Sequence, residues 1–328
     1  RINNPMATFK GIKGFTVQTL SSDPTTADSV GQFYYNSTST TFKYVQPGGV
    51  SVGTWASGNA MNTDRRAPGG AGTQGAGLAF GGFPPAAGSN ATEEYNGSSW
   101  TSGNNLGTGR RHPGQAGTQT AALAFGGATG SPAAAGTQTE KYDGTNWTEV
   151  NDLNTARSGL TGFGTQTAAV AAGGNPPSKN ASEEWDGTSW TTGNNLNTGR
   201  SEFAGAGILT SGIVMGGATT DSVSNAETYD GTNWAEVSEL NTARYANGGS
   251  GTSLSSALTF GGASPAKANT EAWDNTSWTE VADLATARQD IGGTGTQTLA
   301  LAFGGSPSGT ATEEWTAPDI VIKTVTTS

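Results

Sequence analysis

The sequence predicts an all-β protein whose main domain is a ring of six four-stranded sheets, a six-bladed β-propeller. Three observations predict it. The stretch "TEEYNGSSW" at 92–100 returns as "TEKYDGTNW" at 139–147, "SEEWDGTSW" at 182–190, "AETYDGTNW" at 226–234 and "TEAWDNTSW" at 270–278, and begins again as "TEEW" at 312–315. Glycine pairs end an apolar stretch six times, from Gly81-Gly82 to Gly304-Gly305, at intervals of 43 to 47 residues. The stretch before each pair alternates large and small residues with period two, and no helical period competes with it. Repeats of about 40–50 residues carrying four short strands are the mark of propeller blades.

Each period divides into four strands. Strand A follows an Arg, as in "RSGLTGFGT", and strand B is "QTAALAFGG" or its equivalent. The large residues of strand B are Leu78/Phe80, Leu123/Phe125, Ile213/Met215, Leu258/Phe260 and Leu301/Phe303, with Val170/Ala172 the smallest pair. A strand with one bulky and one small face suits a sheet stacked face to face on a neighbouring sheet. Strand C carries the first aromatic and strand D opens on the second. Between them, Asp-Gly or Asn-Gly is expected to supply the positive φ angles of a tight turn. Two large rings per blade, at roughly 25 cal/mol per Å² buried, give a core that needs few apolar residues.

The half repeat finds its complement at the other end of the chain. "GTWASGNAMNTDR" at 53–65 aligns with "TSWTTGNNLNTGR" at 188–200, so the N-terminal side supplies strand D to the blade whose other strands lie in 288–315. Trp55 is then expected beside Trp315, closing the ring without a free sheet edge. The propeller spans 51–316. Residues 1–50 hold two strand-like stretches, "FTVQTL" and a hairpin within "GQFYYNSTSTTFKYV", and 317–328 reads as a strand able to pair with them.

Composition narrows the function classes. Gly (51 of 328 residues) and a hydrophobic fraction of 33% resemble disorder, but nine Trp at fixed spacing contradict it. A net charge of −10 argues against nucleic-acid binding and against anionic membrane surfaces. Neither a signal peptide nor a membrane span is expected, and Met6 opens "MATFKGIKGF" as a start would. With no Cys and one His, a nucleophilic triad could be built only around His112, and His/Cys metal sites are excluded. A carboxylate calcium site near Asp221 lacks any EF-hand spacing. No cofactor or metal is expected.

The Gly pair ending strand B, the acidic residue and aromatic of strand C, the Trp of strand D and the Arg before the next blade resemble the kelch repeat, in register over about 51–316. The Glu two residues before the strand-C aromatic recurs as Glu93, Glu140, Glu183, Glu227, Glu271 and Glu313. The Arg recurs as Arg65, Arg110, Arg157, Arg200, Arg244 and Arg288. One reading is an anion-binding or catalytic cluster of the kind sialidases carry. The favoured reading is a set of structural Glu–Arg pairs, because catalysis needs a few unequal groups at one point. The stretch "GQ-x-YYNSTS-x-TFK" is similar to short N-terminal segments of bacteriophage tail-fibre and other virion proteins. That resemblance implies a virion component docked through residues 1–50, with the propeller displayed outward.

Comparison among the copies isolates one face. The A–B and C–D turns hardly vary. The B–C loops and the three residues after each Arg do, and in a propeller both lie on the same side. A constant frame with one variable face is a candidate binding surface. Its candidate contacts are Arg66, Arg111, His112, Glu202, Phe203, Tyr245, Asn247, Gln289 and Asp290, with Lys179, Asp221 and Lys267 in the longer loops. The expected function is a non-enzymatic phage structural protein, as tail fibre, head fibre or decoration, on the surface of the extracellular particle. It would meet a host glycan or protein at this face and other virion proteins through its N-terminal segment. It would bind no nucleic acid and insert in no membrane, and a homo-oligomer is allowed although no heptad calls for one. A secreted bacterial lectin-like module is the alternative, and a glycoside-cleaving propeller the third. Deleting residues 1–60 removes the closing strand, uncovers Trp315 and lowers the melting temperature of the whole ring. A truncated chain that melts like the intact one would refute the closure.

Overall fold

The computed structural model describes residues 18–24, 33–47, 53–86, 88–131, 133–175, 179–318 and 320–324. Every regular element among them is a strand. The chain divides into two compact units, 1–51 with 318–328, and 52–317. In the first unit the strands run in the order Gln18–Leu20, Phe33–Asn36, Thr41–Pro47, Ile320–Thr324. The first pair is parallel and the others antiparallel. The C-terminal strand thus pairs with the hairpin arm at 41–47. Of the "FTVQTL" strand, residues 15–17 lie outside the described residues.

The second unit holds six four-stranded antiparallel sheets. Sheet 1 is Gly69–Thr73, Ala76–Phe80, Thr92–Tyr95 and Trp100–Ser102; sheet 2 is Gly114–Thr118, Ala121–Phe125, Thr139–Tyr142 and Trp147–Val150. Sheet 3 is Thr161–Thr165, Ala168–Ala172, Ser182–Trp185 and Trp190–Thr192; sheet 4 is Ala204–Ile208, Ser211–Met215, Ala226–Tyr229 and Trp234–Val237. Sheet 5 is Gly248–Ser253, Ser256–Phe260, Thr270–Trp273 and Trp278–Val281. Sheet 6 combines Gly292–Gly295, Leu299–Phe303 and Thr312–Thr316 with Thr54–Ser57 from the start of the unit. Trp315 faces Trp55 in that register, their ring centroids 5.5 Å apart. The strand-A segments lie each beside the next, and Gly292–Gly295 lies beside Gly69–Thr73. The whole is an all-β, propeller-like arrangement.

Aromatic rings fasten the sheets to one another. Within a sheet the strand-C ring meets the strand-D Trp, as Tyr95 with Trp100 at 5.0 Å and Trp185 with Trp190 at 5.3 Å. Five of these six Trp also pack edge-on against a Phe of the preceding sheet, as Trp190 on Phe125, Trp147 on Phe80 and Trp55 on Phe260, and Trp278 meets Met215 instead. Four indole N–H groups donate to the Thr that opens strand C of the preceding sheet, as Trp100 to Thr312 at 2.9 Å. The C–D turns differ from expectation in one respect. Only the glycine takes positive φ, or Asn275 where glycine is absent. The Asp or Asn before it instead accepts two backbone N–H bonds, as Asp143 from Thr145 and Asn146. Those bonds hold the Asp143, Asp186, Asp230 and Asp274 carboxyls below the ordinary value. Their contribution is therefore present at neutral pH and is lost as pH falls through the lowered pKa.

Each repeated Arg meets the repeated Glu of the sheet it precedes. The N···O distance is 2.5 Å for Arg65–Glu93, 2.9 Å for Arg157–Glu183, 3.0 Å for Arg200–Glu227, 2.6 Å for Arg244–Glu271 and 2.7 Å for Arg288–Glu313, and Arg110 pairs with Glu140 likewise. All six Arg are fully buried. Burial lowers their pKa, and the facing Glu opposes the shift. In five pairs the guanidinium also donates to two carbonyls of its own sheet, such as Gly81 and Ala91 for Arg65. The Glu accepts from the backbone of the incoming loop, as Glu93 from Asn62 at 2.7 Å and Thr63 at 3.2 Å. The repeated Gln of "GTQT" supplies a second fastening that sequence reading passed over. Gln74, Gln119, Gln166 and Gln297 each donate to two carbonyls of the preceding sheet.

Volume is exchanged between strands A and B. Gly69, Gly114, Gly248 and Gly292 face Phe80, Phe125, Phe260 and Phe303, and a Cβ at any of them would lie within about 2.3 Å of the ring. Where the facing residue is not Phe, the glycine is replaced: Thr161 faces Ala172 and Ala204 faces Met215. Sheet 3 recovers the missing ring from its own strand A, where Phe163 packs edge-on against Trp234 at 6.2 Å. Gly248→Ala alone should cost about 1–3 kcal/mol through overpacking. Combined with Phe260→Met, which copies the pairing of sheet 4, much of that cost should vanish. A double-mutant cycle by denaturant unfolding checks this, and additive effects would refute the exchange.

Candidate functional site

The variable residues after each Arg fall into three concentric sets. The first position, Arg66, Arg111, Ser158, Ser201, Tyr245 or Gln289, forms a β-bridge with the residue after the Gly pair, as Arg66 with Phe83 and Tyr245 with Ala263. Reciprocal bonds of 2.8 Å join Arg66 and Phe83. The D–A and B–C loops therefore lie together. The Gly pair permits this approach: Gly81 and Gly82 have φ of 68° and 104°, and a Cβ on Gly81 would sit 2.6 Å from the Arg110 carbonyl.

The second position is left-handed in all six copies. Ala67, His112, Glu202, Ala246 and Asp290 have φ between 50° and 56°, and Gly159 has 63°. Their backbones form a cycle of hydrogen bonds. His112 N–H donates to Ala67 O at 3.0 Å, Gly159 to His112 at 3.1 Å, Glu202 to Gly159 at 2.7 Å and Ala246 to Glu202 at 2.7 Å. Asp290 then donates to Ala246 at 2.8 Å and Ala67 to Asp290 at 2.7 Å, returning to the start. These residues border a recess that continues between the glycine-rich strand-A segments. His112, Glu202 and Asp290 occupy alternate places in the cycle. Among the described residues no three His, Asp or Glu side chains come together to hold a metal ion.

The third position turns inward, which corrects two expected contacts. Phe203 and Asn247 are 6% and 7% exposed. Phe203 packs in the core with Val214 and Tyr229. Asn247 donates to Thr259 at 2.8 Å and to the Met215 carbonyl at 3.3 Å. Neither is available to a partner. Of the loop candidates, Lys179 donates its ammonium to the Thr219 carbonyl, Asp221 is exposed, and Lys267 bridges Arg288 through its backbone. Gln289 bridges Ser306.

Phe83 was missed as a contact, although an aromatic in the Ala/Pro/Ser-rich loop "FPPAAGSNA" was a visible signal. The guanidinium of Arg66 stacks 4.3 Å from its ring centroid and that of Arg111 lies 5.5 Å away. All four polar first-position candidates, Arg66, Arg111, Tyr245 and Gln289, therefore belong to one rim, and His112, Glu202 and Asp290 to the ring inside it. Replacing Ala246 by Gly should raise stability by up to about 1 kcal/mol, against the usual sign, because its φ of 52° strains an L-residue. A lower melting temperature for that variant would contradict the ring geometry.

No known protein family matches the sequence, and no curated protein matches it. Among solved structures, one titled "Structure of YjhT" is similar with a TM-score of 0.65 and 13% identity, over 80% of this chain and 99% of that one. At that identity the likeness is one of fold alone, and it agrees with the propeller-like set of repeated four-stranded sheets.

Proposed function

We propose that this chain is a non-enzymatic binding protein of a phage particle, a tail fibre, head fibre or decoration protein. In this reading residues 52–317 form a closed six-bladed propeller of the kelch type, with Thr54–Ser57 as the closing strand. The rim and ring of the D–A and B–C loops meet a glycan on the host surface, and the smaller unit docks to other virion proteins. The observation that carries the binding role is the contrast between the two sides of each repeat. The Arg–Glu pairs, Gln donors and aromatic pairs recur from sheet to sheet. The first two residues after each Arg change from copy to copy and hold partly exposed Arg66, Arg111, His112, Glu202, Tyr245, Gln289 and Asp290 on one face. Drift would vary such positions, but a rim of side chains able to hydrogen-bond, on a backbone held by a cycle of bonds, is preorganised for recognition. The virion assignment rests on the N-terminal resemblance and on the separate unit that this segment builds with the C-terminal strand.

Two measurements test the reading. Mass spectrometry of purified particles should find the chain as a stoichiometric component, and its absence would overturn the virion assignment. Glycan-array binding by the intact chain should weaken at least about tenfold when Tyr245 and Gln289 are both changed to Ala. Unchanged binding would move the site off this face.

A further inference from the structure

We propose that Arg66 and Arg111, held by Phe83, form a subsite for the carboxylate of an acidic oligosaccharide. This deepens the glycan-binding reading above and rests on it. Charge distribution gives the first reason. In the second unit, outside the six buried scaffold arginines, the Lys and Arg side chains are Arg66, Arg111, Lys141, Lys179 and Lys267. Four of the five belong to the loops of this face, in a chain whose net charge is −10. Carboxylates share these loops, among them Asp64, Glu202, Asp221 and Asp290, so the attraction for an anion is local to the adjoining Arg66 and Arg111.

The side chains give the second reason. Among the described residues, neither Arg66 nor Arg111 has a carboxylate within ion-pair distance and neither guanidinium makes a side-chain hydrogen bond, unlike all six scaffold arginines. Asp64 lines the same cleft as Arg66, Phe83, Pro84, Ser306 and Pro307 without pairing. Stacking on a ring occupies the flat face of a guanidinium and leaves its N–H donors free in the plane. Phe83 therefore holds the Arg66 fork, and borders the Arg111 fork, without using their donors, which lowers the rotamer entropy that an exposed Arg loses on binding. A carboxylate accepts two parallel N–H bonds from such a fork, which a lysine ammonium cannot reproduce.

The full chain would be titrated calorimetrically with an oligogalacturonate, a sulfated oligosaccharide of similar length, an uncharged dextran oligomer and inorganic sulfate. The oligogalacturonate should bind tightest, with affinity falling as salt rises. R66A and R111A should each weaken it at least about tenfold, and R66K and R111K should not restore it, because Lys keeps the charge without the fork. F83L should weaken it as well while both arginines remain. Lys141→Ala, which removes a cation on strand C of sheet 2 that donates to the Gly187 carbonyl in the C–D turn of sheet 3, should leave it unchanged. Because neither guanidinium hydrogen-bonds the scaffold among the described residues, melting temperatures of the Arg variants should stay close to that of the parent, lowered only by the loss of stacking on Phe83.

Equal affinity of parent and R66A/R111A for oligogalacturonate overturns the subsite, as does binding of dextran as tight as that of oligogalacturonate. Tighter binding of the sulfated oligomer or of inorganic sulfate overturns the carboxylate assignment. If the Arg variants still bind glycans on an array but oligogalacturonate binding was never present, the subsite fails and the glycan reading stands. If the parent binds no glycan of any kind, both fail together.

Discussion

Six guanidinium groups lie out of reach of water, and the large unit sets a buried carboxylate against each of them. A buried cation without its partner would cost several kcal/mol, so each Arg requires a Glu on the strand C that follows it. Each Glu in turn accepts from the backbone of the incoming loop, as Glu93 does from Asn62 and Thr63. The pair is therefore less a source of net stability than a specification. It ties each incoming loop to the sheet that follows it, because either charge left alone would be buried unpaired. The low hydrophobic fraction of 33% becomes intelligible on that basis, since register is set by polar groups with few acceptable partners.

Apolar volume obeys an equally local rule. A ring on strand B demands a glycine facing it on strand A, and the sheets that lack the ring also lack the glycine. Phe163 shows that a ring need not come from strand B: it enters from strand A where strand B offers only Val170 and Ala172, while in sheet 4 Met215 fills the space instead. Each interface between sheets is filled, and the filling is exchanged between the two inner strands. Close packing makes such exchange necessary, because a methyl group too many or too few is felt at once.

Above this frame the backbone after each Arg turns left-handed and joins a cycle of hydrogen bonds. The geometry divides three consecutive residues among three environments: a rim, a ring and the core. It also separates two kinds of arginine that are neighbours in sequence. Arg65 and Arg110 are buried and paired, while Arg66 and Arg111 are partly exposed, stacked on or near Phe83, and keep their donors free. The chemistry available to a partner follows from that division, since a rigid, unpaired fork recognises an anion at little entropic cost.

The sequence by itself determined the modules: the strands, their turns, the aromatic pairs, the recurrent Glu and Arg, and the partner of the half repeat at 312–315. These follow from period-two patterning and near-neighbour chemistry, and Trp55 was legible because its flanks align with those of Trp190. The tertiary structure alone decided which side chains reach solvent. Phe203 and Asn247 read as surface residues because they vary, yet the left-handed residue before each turns it inward. The Asp of the C–D turn read as a source of positive φ, yet it serves as an acceptor for two N–H groups. Phe83 and Arg66 are 17 residues apart, and Arg111 lies 28 beyond Phe83. No local pattern brings these three together, because their contact exists only where one sheet's loops meet the next.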